Sequence, residues 1–284
     1  MKTAQFKQYF LNFKQASGTS RGILNTKETF FLEIFEDEKK GIGECGLFRG
    51  LSYDDVPEYE EKLQWLCKNI NENTEILKEE LQHFPSIWIG YEQAILNLKH
   101  GNNWYFPSEF TAGKASIKIN GLIWMGDVNF MQKQIEEKLN NGFDCIKLKI
   151  GVDWTSEKKI LQKLRVKFPQ EQLELRVDAN GGFTFEEAKI VLQELADLKI
   201  HSIEQPKKAG NFEKMAKLCA NAPTPIALDE ELIGVTEFND KKKLLEAIKP
   251  QYIILKPSLV GGFSGSDEWI SISKDLDIYC LFIS

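Results

Sequence analysis

Histidine is scarce: His83, His100 and His201 are the only three, and they are far apart in the chain. A zinc centre, which draws on grouped imidazoles and thiolates, is therefore not indicated. The five cysteines (Cys45, Cys67, Cys145, Cys219, Cys280) are odd in number, scattered, and never spaced C-x-x-C. That pattern excludes a disulfide framework and implies free thiols in a reducing compartment. Nor is there an excess of basic charge: 36 Lys and Arg against 42 Asp and Glu leave a net charge of −6. Nucleic acid and anionic membrane are thus not expected partners, and an anionic substrate would have to be met by local cations. No apolar run approaches transmembrane length. The N-terminus alternates polar and apolar residues and has no signal-peptide core. A cytoplasmic location is the expectation.

What is present is an ordinary globular composition, 42% hydrophobic and 27% charged over 284 residues. That length suffices for one barrel with a small additional domain. The first third differs from the rest. Strand-like runs fall at about 4–14 and 28–46, with a turn through Asp37–Gly41, and a helical pattern covers 53–100. Strands followed by helices predict an α+β domain over residues 1–110, with the boundary in Gly101–Lys114. From Ala115 the rhythm becomes strand, helix, strand. Seven strands are predicted: Ser116–Asn120, Cys145–Ile150, Leu173–Asp178, Ser202–Glu204, Pro225–Asp229, Tyr252–Lys256 and Ile278–Ile283. The helix over 185–198 opens with the capping-box pattern Thr184-x-x-Glu187. Repeated βα units over 111–284 indicate a parallel sheet with helices outside.

Five of those strands end on charge, in the order Lys149, Asp178, Glu204, Asp229, Lys256. The acid spacings, 204 − 178 = 26 and 229 − 204 = 25, each accommodate one βα unit. Charged residues are depleted in strands and seldom buried alone, so such ends should converge. A barrel brings them to one mouth, where catalytic groups collect. One acid at a βα loop is ordinarily a helix N-cap; three acids in successive units beside lysines suggest a hard divalent cation. Lys147 and Lys149, two apart, share a strand face opposite Leu148. Neighbouring cations lower an amine pKa towards the range of a neutral base. Gly261-Gly262 offers unshielded N–H groups that could cradle a carboxylate, or simply forms a loop.

The set Lys147-x-Lys149, Asp178-Ala179-Asn180, Glu204-Gln205-Pro206, Asp229-Glu230 and Lys256-Pro257 resembles the enolase superfamily, in its muconate-lactonizing-enzyme-like branch. Within that branch Leu255–Gly262 and Asn120–Gly126 are most similar to the o-succinylbenzoate synthases of menaquinone biosynthesis. The resemblance implies an α/β protein: a (β/α) barrel of the TIM type carrying catalysis over 111–284, and an α+β capping domain over 1–110 bearing substrate-specificity loops. It implies Mg²⁺, with Mn²⁺ as substitute, on Asp178, Glu204 and Asp229. Lys149 would be the base and later the acid. Lys256 would stabilise an enolate, or act as second base in a racemase or dipeptide epimerase. Asn180 and Glu230 would orient ligands or meet substrate. Lys147, Ser258, Gly261, Gly262 and the loop cations Arg21 and Arg49 are further candidates for contact with a small carboxylate substrate. A barrel without catalysis, serving binding or assembly, is the alternative of another class. Because the family normally supplies one more strand than the seven counted, an incomplete barrel is expected.

Overall fold

The computed structural model describes residues 1–19, 22–101 and 104–281, with side chains for all of these except 15–19, 22 and 23. Alternation in Phe30-Phe31-Leu32-Glu33-Ile34 places Phe30, Leu32 and Ile34 in the core with no exposed surface. It also sets the antiparallel sheet β1 (Lys2–Thr19), β2 (Gly22–Glu36), β3 (Lys39–Cys45), in that order. Three helices follow: α1 (Tyr59–Lys68), α2 (Thr74–Glu80) and α3 (Pro85–His100). Helix α3 lies directly on β3, because Gly41 and Gly43 leave room for its backbone. A Cβ on Gly43 would sit 1.8 Å from the Gly90 carbonyl, and one on Gly41 2.1 Å from that of Ala94. The outer edge of β3 is covered as well: the Ile42 and Glu44 amides donate to Asn97 Oδ1 and Gln93 Oε1 of α3. An edge so occupied cannot recruit another strand.

The second part alternates strand and helix: β4 (Gly121–Ile123), α4 (Val128–Asn140), β5 (Cys145–Lys149), α5 (Trp154–Lys167), β6 (Glu174–Asp178) and α6 (Phe185–Asp197). It continues through β7 (Ser202–Glu204), α7 (Phe212–Ala220), β8 (Ile226–Leu228), a 3₁₀ turn at Glu230–Leu232, α8 (Phe238–Ile248), β9 (Tyr252–Ile254), α9 (Pro257–Val260), α10 (Gly262–Asp275) and β10 (Tyr279–Leu281). The seven strands are parallel and pair in chain order. Among the described residues nothing pairs β4 with β10, so the sheet curls as an open barrel. Outward-facing Leu148, Leu175, Ile203, Leu228 and Ile253 pack in one apolar cluster with helix residues such as Leu161, Val191 and Leu245. A separate cluster of Phe30, Leu32, Leu63, Leu66 and Ile87 forms the core of the first part. The capping box holds: Glu187 N donates to Thr184 Oγ, and Thr184 N to Glu187 Oε2.

One expected strand is displaced. Ser116–Asn120 has the two-residue period of a strand, yet the strand forms at Gly121–Ile123. Ile117 and Ile119 are 52% and 44% exposed, so that alternation has no apolar face to pack against. The cysteines are all free, as expected. Among the described residues no helix is long and apolar enough to cross a membrane.

Candidate active site

The five charged strand ends do come together. Lys149 pairs in register with Asp178, and Asp178 with Glu204. Glu204 is level with Ala227, two residues before Asp229, and Ala227 is level with Tyr252, four before Lys256. That upward step is the stagger of tilted strands in a barrel, and it keeps all five groups at the same mouth. Asp178, Glu204, Asp229 and Lys147 are each no more than 4% exposed.

Each carboxylate is met by an ammonium. Lys147 Nζ is 2.7 Å from Glu204 Oε2 and 3.8 Å from Asp178 Oδ2. Lys149 Nζ donates to Asp178 Oδ2 at 2.5 Å and to Asn180 Oδ1 at 2.6 Å. Lys256 Nζ donates to Asp229 Oδ2 and lies 3.8 Å from Glu204 Oε1. Burial raises the Asp178 pKa, and the Glu204 charge adds to it against the pull of the lysines. Burial likewise holds Asp229 well above the usual carboxylate range, although Lys256 opposes it. For Glu204 burial is outweighed by Lys147, Lys256 and Lys149 together, and its pKa is lowered. Burial works against the Lys256 charge, but Asp229 and Glu204 outweigh it and raise its pKa.

The three acids do not form a ready ion cage. Among the described residues no three His, Cys, Asp or Glu groups are gathered closely enough to hold an ion, because lysine ammoniums bridge these acids. The donor set nevertheless suits a hard cation. It consists of carboxylate oxygens, which magnesium prefers. Glu204 Oε1, moreover, is buried and accepts no hydrogen bond, a state that costs about 1–3 kcal/mol or more.

Neighbouring residues brace these groups. Asn180, in the left-handed region at φ 43°, links Lys149 to Glu230: its Oδ1 accepts from Lys149 and its Nδ2 donates to Glu230 Oε1 at 2.9 Å. Among residues other than glycine, a short Asx side chain tolerates that backbone best. Gln205 is fully buried and also left-handed, at φ 40°. Its Oε1 accepts from the Asp229 and Glu231 amides, and its Nε2 donates to Glu231 Oε2 and the Lys207 carbonyl. It ties the end of β7 to the end of β8. Gln205 stands in the Glu204-Gln205-Pro206 motif with no role expected of it; a polar residue directly after a buried strand-end acid is the one sequence signal for this brace.

Arg49 is held by Glu28 at 2.6 Å and Asp55 at 2.7 Å. Gly261 and Gly262 both take left-handed backbone, at φ 97° and 75°. The Gly261 amide donates to the Pro257 carbonyl, and Gly262 faces Glu92 and Trp88 of α3. Ser258 faces the first part of the chain, where a Cβ on Gly46 would lie 3.6 Å from its own Cβ. Arg21 lies outside the described residues.

Residues 131–282 match the family model described as enolase C-terminal domain-like. The o-succinylbenzoate synthase of Desulfotalea psychrophila is 39% identical over 96% of this chain and 83% of its own length. The crystal structure of MenC from the same organism superposes with a TM-score of 0.86 at 35% identity, covering 98% of this chain and 85% of that one. A dipeptide epimerase from Enterococcus faecalis, complexed with Mg and the dipeptide L-Leu-L-Tyr, superposes with a TM-score of 0.80 at 20% identity, covering 98% of this chain and 80% of that one; it shares the fold. The chain belongs to the enolase superfamily, within the enolase C-terminal domain-like family, and is an enzyme chain similar to o-succinylbenzoate synthase.

Proposed function

We propose that this chain is an o-succinylbenzoate synthase acting in the cytoplasm, with residues 111–284 as the catalytic barrel and 1–110 as its cap. It would convert 2-succinyl-6-hydroxy-2,4-cyclohexadiene-1-carboxylate to 2-succinylbenzoate and water, the dehydration that serves menaquinone biosynthesis. The observation that carries the reading is the 39% identity to the Desulfotalea enzyme over nearly the whole chain, joined to the lysine–carboxylate row at the mouth. Asp178, Glu204 and Asp229 would hold Mg²⁺, with Mn²⁺ as substitute. When bound, the metal supplies positive charge that stabilises negative charge developing on the substrate carboxylate.

Lys149, as the free amine, takes the proton from the carbon bearing the carboxylate. The same ammonium then returns that proton to the departing hydroxyl, which leaves as water while its C–O electron pair departs with it. The new ring double bond completes the aromatic system, so the barrier to be lowered is that of proton removal. Asn180, hydrogen-bonded to Lys149, fixes where its Nζ points. Lys256, across the row beyond Asp229, places a second cation beside the developing enolate. Lys147 neutralises Glu204 and keeps that buried acid ionised.

A second reading is a dipeptide epimerase or N-acylamino acid racemase, favoured by amines at both ends of the row. The test is purified protein with Mg²⁺, given the cyclohexadiene substrate in one arm and L-Ala-L-Glu in deuterated water in the other. Loss of diene absorbance with formation of 2-succinylbenzoate is the expected result. Lys149→Arg, which stays protonated, should abolish both dehydration and α-proton exchange. Rapid epimerisation without dehydration would transfer the assignment to the second reading.

A further inference from the structure

The turn that follows Lys256 is gripped from the cap. Lys256 precedes the single turn α9, after which Gly261 and Gly262 take φ of 97° and 75° and α10 begins. The first amides of a helix lack intrahelical acceptors and carry its positive end. Here two of them are already satisfied: Phe263 N donates to Glu92 Oε2 at 2.5 Å and Ser264 N to Glu92 Oε1 at 3.0 Å. Glu92 belongs to α3, 171 residues away. Four residues earlier on the same helix, Trp88 Nε1 donates to Ser264 Oγ at 2.8 Å. Gly262 has to be glycine for this contact, since a Cβ there would lie 2.2 Å from Glu92 Oε2 and 2.8 Å from Trp88 Cδ1. The Phe263 ring completes the grip against Phe106, edge to face with centroids 4.9 Å apart.

We propose that Glu92 is a positioning residue: its carboxylate occupies the N-terminus of α10, fastens the Lys256–Ser264 turn to the cap, and thereby sets where Lys256 stands against Asp229. A residue serving only to hold the two parts together would use any contact along the seam. The ion pair of Lys78 with Glu268, at 3.0 Å, already does that further along α10. Glu92 instead meets the one segment of α10 that is continuous with a strand-end lysine. Its two oxygens span successive amides, which fixes the turn in direction as well as in distance. The cap would then tune the barrel without touching the reacting atoms, and would do so through a charge that a small carboxylate can imitate.

The role of Lys256 in catalysis rests on the synthase reading, so the test has one arm independent of turnover. In Mg²⁺-loaded Glu92→Ala, backbone amides of 261–265 should exchange with deuterium at least tenfold faster than in the parent, and Lys256 should label faster with an amine reagent. Formate at ~100 mM should reverse both effects and chloride at the same ionic strength should not. In the activity arm kcat should fall at least tenfold with KM within about twofold, and formate should restore much of it. Glu92→Gln keeps the volume without the charge. It should exchange faster than the parent and resist rescue, because the space is filled; it carries the test if the alanine variant does not fold. Unchanged exchange and labelling in both variants would overturn the clamp, as would losses in Glu92→Ala that formate leaves untouched. A parent protein inactive towards the cyclohexadiene would instead count against the synthase reading, leaving the exchange result to stand alone.

Discussion

Asp54 is a buried carboxylate that forms no ion pair among the described residues, and its replacement by asparagine has a calculable consequence. The residue has no exposed surface. Its Oδ2 accepts from Ser86 N at 2.9 Å and Ser86 Oγ at 2.6 Å, in the first turn of α3, while Oδ1 is buried without a hydrogen bond. Burial is the largest influence, and it lifts the pKa from the ordinary 3.8 to about 6 despite the Ser86 bonds. The folded state therefore binds this proton more tightly than the unfolded chain does. The stabilisation it provides is complete below pH 3.8 and is lost as pH rises towards 6. At about 1.4 kcal/mol per pKa unit, the loss amounts to about 3 kcal/mol. An asparagine side chain in its place would mimic the protonated acid, keeping an oxygen acceptor for Ser86 and never ionising. Urea unfolding of the parent and of Asp54→Asn, followed at intervals from about pH 3.5 to 7.5, isolates the group because the other titrations cancel in the difference. The variant should gain on the parent by about 3 kcal/mol across that interval, most of it between about pH 4 and 6. A difference that stays flat with pH would show that Asp54 is not titrating from a buried, unpaired state.

Gly43→Ala should destabilise the first part of the chain by at least ~3 kcal/mol, read as a fall in the urea midpoint, since its Cβ would enter the Gly90 carbonyl. Thr184→Ala should cost about 1 kcal/mol by removing one side of the capping box, and a loss below a few tenths would show that α6 does not depend on it. Mg²⁺ at about one hundred times its dissociation constant should add about 2.7 kcal/mol of stability, seen as a raised Tm that chelator reverses. Glu204→Gln should abolish that rise, and a Tm indifferent to Mg²⁺ in the parent would remove the metal reading.

Much of the site is legible in the sequence because it is written in local patterns. Strand-end charges at spacings of 26 and 25 require only that each βα unit return to the same mouth, which parallel pairing in chain order enforces. The Thr184–Glu187 box is satisfied within four residues, and the Phe30–Ile34 alternation needs only one apolar face. The run 116–120 shows the limit of such reasoning: it has the right period, but burial is decided by what lies opposite, and Ile117 and Ile119 stay exposed.

What the tertiary structure alone decided is partnership. Arg49 carries the charge a substrate carboxylate would want, yet the fold gives it Glu28 and Asp55 first. The three acids are the right donors for a cation, yet three lysines stand among them. Gly261-Gly262 reads as an anion cradle, yet it is the next two amides, of Phe263 and Ser264, to which α3 brings the Glu92 carboxylate, Glu92 and Phe263 lying 171 residues apart. Each of these outcomes depends on distances between segments remote in the chain, and such distances follow from packing, not from periodicity. The sequence by itself determined which chemical groups reach the mouth of the barrel; the tertiary structure decided which of them are already engaged, because an ion pair or hydrogen bond acts only over the few ångströms that packing sets.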